Sequence, residues 1–340
     1  MFHASAFFKM LAKYNPFKRQ CQARVVFSHY FAGLGFNDRI SQGRKGKPDW
    51  TPGGRMSKFT DQDYLKDEQY HSPDNLNFRI ALHEHYSTAR VPWTTWIYEH
   101  LGFGKGQQIL AVGCGNATQW RDNVSRFPAS NRFYLMDLSI GMLRSGRKSI
   151  GEEDERFNCF SGDAQYLPFE DGGFDRVTAN HMLYHVPTIE LGVAEFARVL
   201  KPDGLFMAAT NGATHMVDLY KLFEEFEPGF RIPDSDRRRF SLQNGQDYLA
   251  SQFAEVRLDM YQSDLWVTDG QALVNYAFSM WDVEDDITNQ KAAEMLAFFN
   301  HKIERDGGIR IRKETGVFLA SHQTGVIESL GILQAEQKLL

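Results

Sequence analysis

Cysteine is nearly absent from this chain of 340 residues: only Cys21, Cys114 and Cys159 occur. An odd number without paired metal-ligand spacing argues against a disulfide framework or a zinc-type cluster and points to a reduced, intracellular protein. Long apolar runs are missing too. No stretch of about 18 apolar residues exists, which excludes a transmembrane helix and gives the expectation of a soluble, cytoplasmic protein. No internal repeat is evident. Acidic residues are scarce at one end: residues 1 to 58 carry 11 Lys/Arg against only Asp38 and Asp49, a net +9, so residues 59 to 340 carry 27 Lys/Arg against 41 Asp/Glu, a net −14. An acidic body without a basic, aromatic-interleaved stripe is a poor surface for phosphate backbones, so a nucleic-acid partner is disfavoured. What is plentiful is apolar material, 42% of residues with 14% aromatic, ample for a sizeable core.

The most informative stretch is Gln108-Ile109-Leu110-Ala111-Val112-Gly113-Cys114-Gly115-Asn116-Ala117-Thr118. A short apolar run breaks into two glycines and a helix-capping Asn116, the pattern of a buried strand, a tight loop and a helix start. Without Cβ atoms, Gly113 and Gly115 let the backbone turn and approach a ligand closely. A second strand, Arg132 to Leu138, places Asp137 at its carboxyl end about 20 residues further on, where ribose hydroxyls are gripped. Thr118 stands where a dinucleotide fingerprint needs its third glycine, so the expected ligand is a nucleoside without a diphosphate bridge. A third strand, Asn158 to Ser161, ends in Gly162-Asp163-Ala164, and Asp163 could accept the exocyclic amine of adenine.

These residues resemble the class I S-adenosylmethionine-dependent methyltransferases, in particular the ubiquinone and small-molecule branch called type 11. The resemblance covers roughly Leu101 to Asn211: Val-Gly-Cys-Gly-Asn-Ala from Val112, Met-Asp-Leu-Ser from Met136 with Met142-Leu143 after it, Gly-Asp-Ala-x-x-Leu-Pro-Phe from Gly162, Phe174-Asp175-Arg176-Val177 with Asn180-His181, and Arg198-Val199-Leu200-Lys201-Pro202-Asp203-Gly204. The family usually has glycine where Ala117 stands. More loosely, Asn75 to His83 resembles the opening segment of some bacterial members. The resemblance implies S-adenosyl-L-methionine as cofactor, held by Gly113, Cys114, Gly115, Asn116, Asp137, Leu138, Gly162, Asp163, Ala164 and Asn180. It also implies a doubly wound, mostly parallel, seven-stranded Rossmann-like α/β sheet with N-terminal helices and a helical insertion near the last two strands.

In chain order, residues 1 to 55 are a basic extension with little to build a core from, read equally as a mitochondrial-type targeting segment, a partner-binding extension, or sequence preceding a physiological start at Met56. Residues 56 to 106 form a helical lid containing two helices between 75 and 102, the second opening near Pro92 with Trp93, Trp96, Ile97 and Leu101 on one stripe. Those tryptophans are read as core packing rather than acceptor contacts. The methyltransferase domain occupies 107 to 340, with helices at 116 to 127, 139 to 149 and 188 to 200, a fourth strand at 174 to 179 and a fifth at 205 to 210 after the 201 to 204 turn. Acceptor-pocket insertions fall at 212 to 250 and 264 to 310, the latter with about two helices, 270 to 281 and 290 to 303. Strands six and seven are placed at 253 to 261 and 316 to 321. Every element of the nucleoside site is expected beyond Leu101.

Methyl transfer to an O, N or C nucleophile needs alignment above all, with a general base where the nucleophile carries a proton. Candidate bases are His181, His185 and His85, the first two sharing a face if their i, i+4 spacing is helical. No metal is expected. The expected partner is a small, largely apolar or aromatic acceptor, and a homo-oligomer is compatible with the sequence. Two other readings stand: a nicotinamide-dependent oxidoreductase, disfavoured by Thr118 and by the Gly162-Asp163-Ala164 strand end, and a catalytically silent cofactor-binding scaffold.

Overall fold

The computed structural model describes residues 60–62, 74–228, 239–280 and 289–331. The basic extension at 1–55, much of the 56–106 lid before residue 74, and parts of both insertions (229–238 and 281–288) lie outside the described residues.

Strand β1 (Gln108–Val112) is buried from Ile109 onward, as its unbroken apolar run requires of a central strand. It pairs in parallel with β2 (Arg132–Asp137) on one side and β4 (Phe174–Thr178) on the other. β3 (Phe157–Ser161) lies parallel beyond β2, and β5 (Leu200–Asn211) parallel beyond β4. The last two strands, β6 (Glu255–Met260) and β9 (Thr315–Ser321), complete a seven-stranded sheet of order β3-β2-β1-β4-β5-β9-β6, with β9 antiparallel to both β5 and β6. Strand order reverses between β1 and β4, so a crevice opens at the carboxyl ends of these two strands.

Alternation along the strands builds one core on each face of the sheet. Leu110, Val112, Phe206 and Ala208 pack on one side, and Ile109, Ala111, Leu205, Met207 and Ala209 on the other. The first face is covered by α5 (Ile189–Val199) and α7 (Gly245–Ala250), which supply Val193, Phe196 and Leu249. The second holds Trp96, Ile97 and Leu101 from α2 (Trp93–His100) and its end. Buried Arg176 ties α2 to β4 by donating to the carbonyls of Leu101 (2.6 Å) and Gly102 (2.8 Å), so its charge is solvated by backbone rather than by a carboxylate.

A third apolar core is distinct from the two faces of the sheet. Leu82 of α1 (Asp74–Tyr86), Phe223 of α6 (Val217–Phe226), Leu273 of α8 (Gly270–Met280) and Phe299 of α9 (Asn289–Asp306) are fully buried there. With them are Leu265 and Ile311 from the two-stranded antiparallel sheet of β7 (Asp264–Val267) and β8 (Ile309–Arg312). These elements form a cap, and fully burying each large side chain contributes roughly 1.5–3 kcal/mol. Among the described residues no helix is long and apolar enough to cross a membrane.

Several local expectations change. The helix expected over 116–127 is a short α3 (Thr118–Arg121) followed by a 3-10 turn at Val124–Arg126. Asn123 ends it: its buried side chain donates to the carbonyls of Gln119 (3.0 Å) and Thr94 (2.9 Å), trading helical bonds for a tie to α2. β5 begins at Leu200 rather than Leu205, because residues 201–204 bulge out of the ladder between the Phe174–Leu200 and Arg176–Leu205 pairs. The 264–310 insertion contains β7 and the start of β8, which pair with each other across its two helices; four-residue strands offer too little alternation to stand out. Ser139 does cap α4 (Ile140–Ile150), its hydroxyl accepting from the Met142 N–H at 3.2 Å.

Candidate active site

The loop after β1 turns through two left-handed glycines, Gly113 (φ 65°) and Gly115 (φ 55°). A Cβ on Gly113 would stand 2.7 Å from the Met182 side chain, so this position accepts no side chain without displacing the loop that follows β4. Ala117 is left-handed as well (φ 58°), which explains why glycine suits the position; its methyl occupies space left by Gly146 of α4. Asn116 stands one residue before the N-cap position, and its Oδ1 accepts the Thr118 N–H at 3.4 Å, so it caps the first turn weakly while organising the loop. Its Oδ1 accepts from the Thr118 hydroxyl (2.8 Å) while its Nδ2 donates to Asn77 on α1 (2.8 Å).

Asp137, at the end of β2, accepts the Gly115 N–H at 2.8 Å and the Ser139 N–H at 2.9 Å, one on each carboxylate oxygen. Burial pushes this carboxyl up from its ordinary value, and the two backbone bonds pull it back. A carboxylate offers about four acceptor positions, so roughly two remain. Asp163, after β3, accepts from the Gln165 N–H (2.9 Å) and from both the Gln165 (3.1 Å) and Gln62 (2.8 Å) amides. Asn180, after β4, bridges Gln119 and the Ala209 N–H. Burial first, and then the Asp137 charge, push the Cys114 thiol well up, so it is no thiolate at neutral pH.

All these groups line one cavity of about 940 Å³, near the upper end of the roughly 300–1,000 Å³ usual for small-molecule sites. Gly113, Cys114, Gly115, Asn116, Asp137, Leu138, Gly162, Asp163, Ala164 and Asn180 are all on its wall. So are His181 and His185, although not through a helical face: His181 is left-handed (φ 55°) and pinned by its N–H to the Ala209 carbonyl at 2.8 Å, and Leu183–His185 is a 3-10 turn. His85 is exposed, stacks edge-on against Tyr86, and lies off the cavity wall; His83 and His215 line it instead.

The expectation that everything near the nucleoside motifs lies beyond Leu101 is corrected by Gln62, Leu76 and Asn77. Gln62 bonds Asp163 directly, and a Cβ on Gly115 would stand 3.4 Å from the Leu76 side chain. These contacts join parts of the chain far apart in sequence, and no local pattern announces them.

Beyond these groups the cavity wall mixes aromatic side chains with charged ones, among them Arg79, Glu84, Arg90, Arg121 and Asp122. Trp93, expected to be core, faces the cavity, with its ring centroid 5.0 Å from Tyr261 and 5.4 Å from His181, while Trp96 beneath it is buried. Tyr276 and Lys313 line the cavity as well. Burial pulls the Lys313 ammonium down to about 8, with the Asp264 carboxylate opposing the shift. Among the described residues no group of three His, Cys, Asp or Glu side chains is placed to hold a metal ion.

Residues 110–208 match the family model for a methyltransferase domain. The chain is 26% identical over 232 residues to a sterol 24-C-methyltransferase of Gibberella zeae, covering 66% of this chain and 56% of that one. It is 33% identical over 133 residues to a demethylmenaquinone methyltransferase of Staphylococcus aureus, covering 39% and 52% respectively. The chain thus spans about half the length of these curated relatives. Among solved structures, the [4+2]-cyclase SpnF superposes with a TM-score of 0.50 at 16% identity, over 76% of this chain and 96% of that one, a likeness of fold alone. Residues 110–208, which hold the glycine and acidic strand ends, thus carry a methyltransferase domain of the class I, S-adenosylmethionine-dependent, type 11 kind.

Proposed function

We propose that the protein transfers a methyl group from S-adenosylmethionine to a small, largely apolar or aromatic acceptor. The observation that carries this reading is the division of one cavity: glycine, acid and acid at successive strand ends on one side, Trp93, Tyr261 and Tyr276 on the other. When bound, the cofactor supplies a methyl made electrophilic by its sulfonium. In this reading Asp137 keeps about two acceptor positions for a ribose diol, and Asp163 releases one of its glutamine amides to receive the adenine amine. The glycine loop lets backbone approach the cofactor where any Cβ would meet Met182. Trp93, Tyr261 and Tyr276 hold an aromatic or apolar acceptor and keep water out. Such alignment can supply on the order of 7 to 11 kcal/mol of the barrier. His181 and His185 are placed to take a proton where the acceptor has one to lose. The activities in the two relatives' names, on a sterol and on a demethylmenaquinone, fit an apolar acceptor.

Calorimetry with S-adenosylhomocysteine, NAD and NADP tests the cofactor half: binding of the first alone is expected, and binding of a dinucleotide instead would overturn it. Transfer of labelled methyl to a panel of hydrophobic small molecules then separates an enzyme from a silent binding protein.

A further inference from the structure

Lys313 belongs to the turn between β8 and β9, and that turn is pinned from the side opposite the cavity. The Glu314 carboxylate accepts from the Thr214 N–H (2.8 Å), the Thr214 hydroxyl (2.6 Å) and the Gln243 amide (2.8 Å), while the Glu314 carbonyl takes the Gly212 N–H (2.9 Å). Extended chain alternates its side chains, so with Glu314 held outward its neighbours Lys313 and Thr315 face the cavity, and both line it. The nearest carboxylate does not satisfy the Lys313 ammonium. Asp264 accepts the Lys313 backbone N–H at 3.2 Å, but its charge is matched by Arg310, whose guanidinium donates at 2.9 and 2.6 Å. The Lys313 ammonium lies instead 5.4 Å from the centre of the Tyr261 ring, and among the described residues it makes no ion pair. A half-buried cation on a pinned turn, beside the Tyr261 ring and making no ion pair among the described residues, is the arrangement that selects an anionic oxygen carried on an apolar body.

We infer that Lys313 is the acceptor-selecting residue of the cavity and that the acceptor is an acidic aromatic or apolar molecule, a phenol, enol or carboxylic acid whose oxygen is held as the anion. This rests on the methyl-transfer reading and deepens it. The acceptor oxygen, having lost its proton before transfer, forms a bond to the methyl carbon as the carbon–sulfur bond breaks and its electron pair goes to sulfur. Anion and sulfonium thereby become a neutral ether or ester and a neutral thioether. An acceptor held in this way needs no base during the transfer: a carboxylic acid enters already ionised at neutral pH, and a phenol or enol gives its proton to water as the Lys313 ammonium, which keeps its own, stabilises the anion.

The test uses the full chain saturated with S-adenosylhomocysteine and three probes: 1-naphthoate, 1-naphthol and the non-acidic 1-naphthalenemethanol. Naphthoate binding about tenfold or more tighter than naphthalenemethanol is the result expected for a carboxylate acceptor. For a phenolate acceptor, the expected result is a naphtholate absorbance band appearing when naphthol binds. Either preference should vanish in Lys313→Met and persist in Lys313→Arg, with S-adenosylhomocysteine affinity retained and melting temperature not lowered in either variant. Equal binding of the three probes, no binding of any, or a preference that survives Lys313→Met overturns the inference. Failure of the wild type to bind S-adenosylhomocysteine would instead overturn the methyl-transfer reading, and it is measured separately from the probe ratio.

Discussion

The two halves of the cavity are made in opposite ways. The glycine and acid half is built from strand ends of a single sheet, each motif a few residues long and each delivered by the strand before it: Gly113 after β1, Asp137 at the end of β2, Asp163 after β3, Asn180 after β4. The aromatic half gathers Trp93, Tyr261, Tyr276 and Lys313 from four separated stretches: Trp93 and Tyr261 pack against the core on the second face of the sheet, and Tyr276 belongs to the cap core. Short-range order makes the first half a property of the sheet. Long-range packing of sheet and cap together makes the second, so the cap's share of it should be separable from the first half by mutation.

The sharpest separation is Phe299→Ala. This ring is fully buried in the cap core against Phe223 (5.8 Å between centroids), so removing it is expected to cost about 3–5 kcal/mol and to loosen the acceptor half. Chemical denaturation should show the loss, while calorimetry should find S-adenosylhomocysteine affinity little changed at a temperature where the protein stays folded. An equal loss of both would mean that the two halves are a single cooperative unit.

Asp137→Ala attacks the other half. It removes the acceptor of the Gly115 and Ser139 N–H groups together with the proposed diol contact, and cofactor affinity should fall by about 1.5–3 kcal/mol. Asp137→Asn, which keeps one carbonyl acceptor, should fall between it and the wild type. Unchanged affinity in the alanine variant would remove Asp137 from the site.

The contrast also predicts a pH signature in the aromatic half. Lys313 has its affinity for a proton lowered from 10.5 to about 8 by burial. Between those values the unfolded chain binds more proton than the folded one, so this group makes stability rise with pH over that window. Below about 8 the folded protein carries the whole cost of the buried charge, so Lys313→Met should be more stable than wild type at pH 7, by about 1–3 kcal/mol. The advantage should shrink as pH rises through 8 to 10, with wild type and variant denatured side by side so that other titrating groups cancel. An advantage constant with pH would show that the ammonium is not desolvated.

The smallest effect is expected where the loop after β1 meets α4. A Cβ on Gly146 would stand 2.9 Å from that of Ala117 and 3.1 Å from the Asn116 backbone, so Gly146→Ala should cost about 1–3 kcal/mol. Ala117→Gly, which trades a buried methyl for relief of a left-handed alanine, should change stability by about 1 kcal/mol or less. In the double variant part of the Gly146→Ala cost should be recovered; simple additivity in thermal unfolding would show that the two sites do not touch.

The sequence by itself determined the sheet and the glycine and acid half of the cavity. Buried parallel strands are continuous apolar runs, left-handed turns leave glycines, and a ligand-facing acid must follow its strand within a residue or two. The whole chemical signal therefore lies inside windows of about ten residues, as at 108–118 and 132–138. The tertiary structure decided the rest. Nothing local distinguishes Trp93, which lines the cavity, from Trp96 three residues later in the core, since both belong to the same apolar stripe and both touch Tyr261; what divides them is that Trp93 meets His181 and Trp96 meets His100. His181 and His185 carry a helical spacing that the left-handed backbone at His181 breaks, because hydrogen bonding of its N–H to β5 fixes that residue before a helix can form. Lys313 reads as an ordinary surface lysine between two charged neighbours. It becomes a desolvated cation facing an aromatic cavity only because Glu314 beside it is tied to Thr214 and Gln243, contacts some 70 to 100 residues away along the chain, and long-range pairing of that kind leaves no trace in a local pattern.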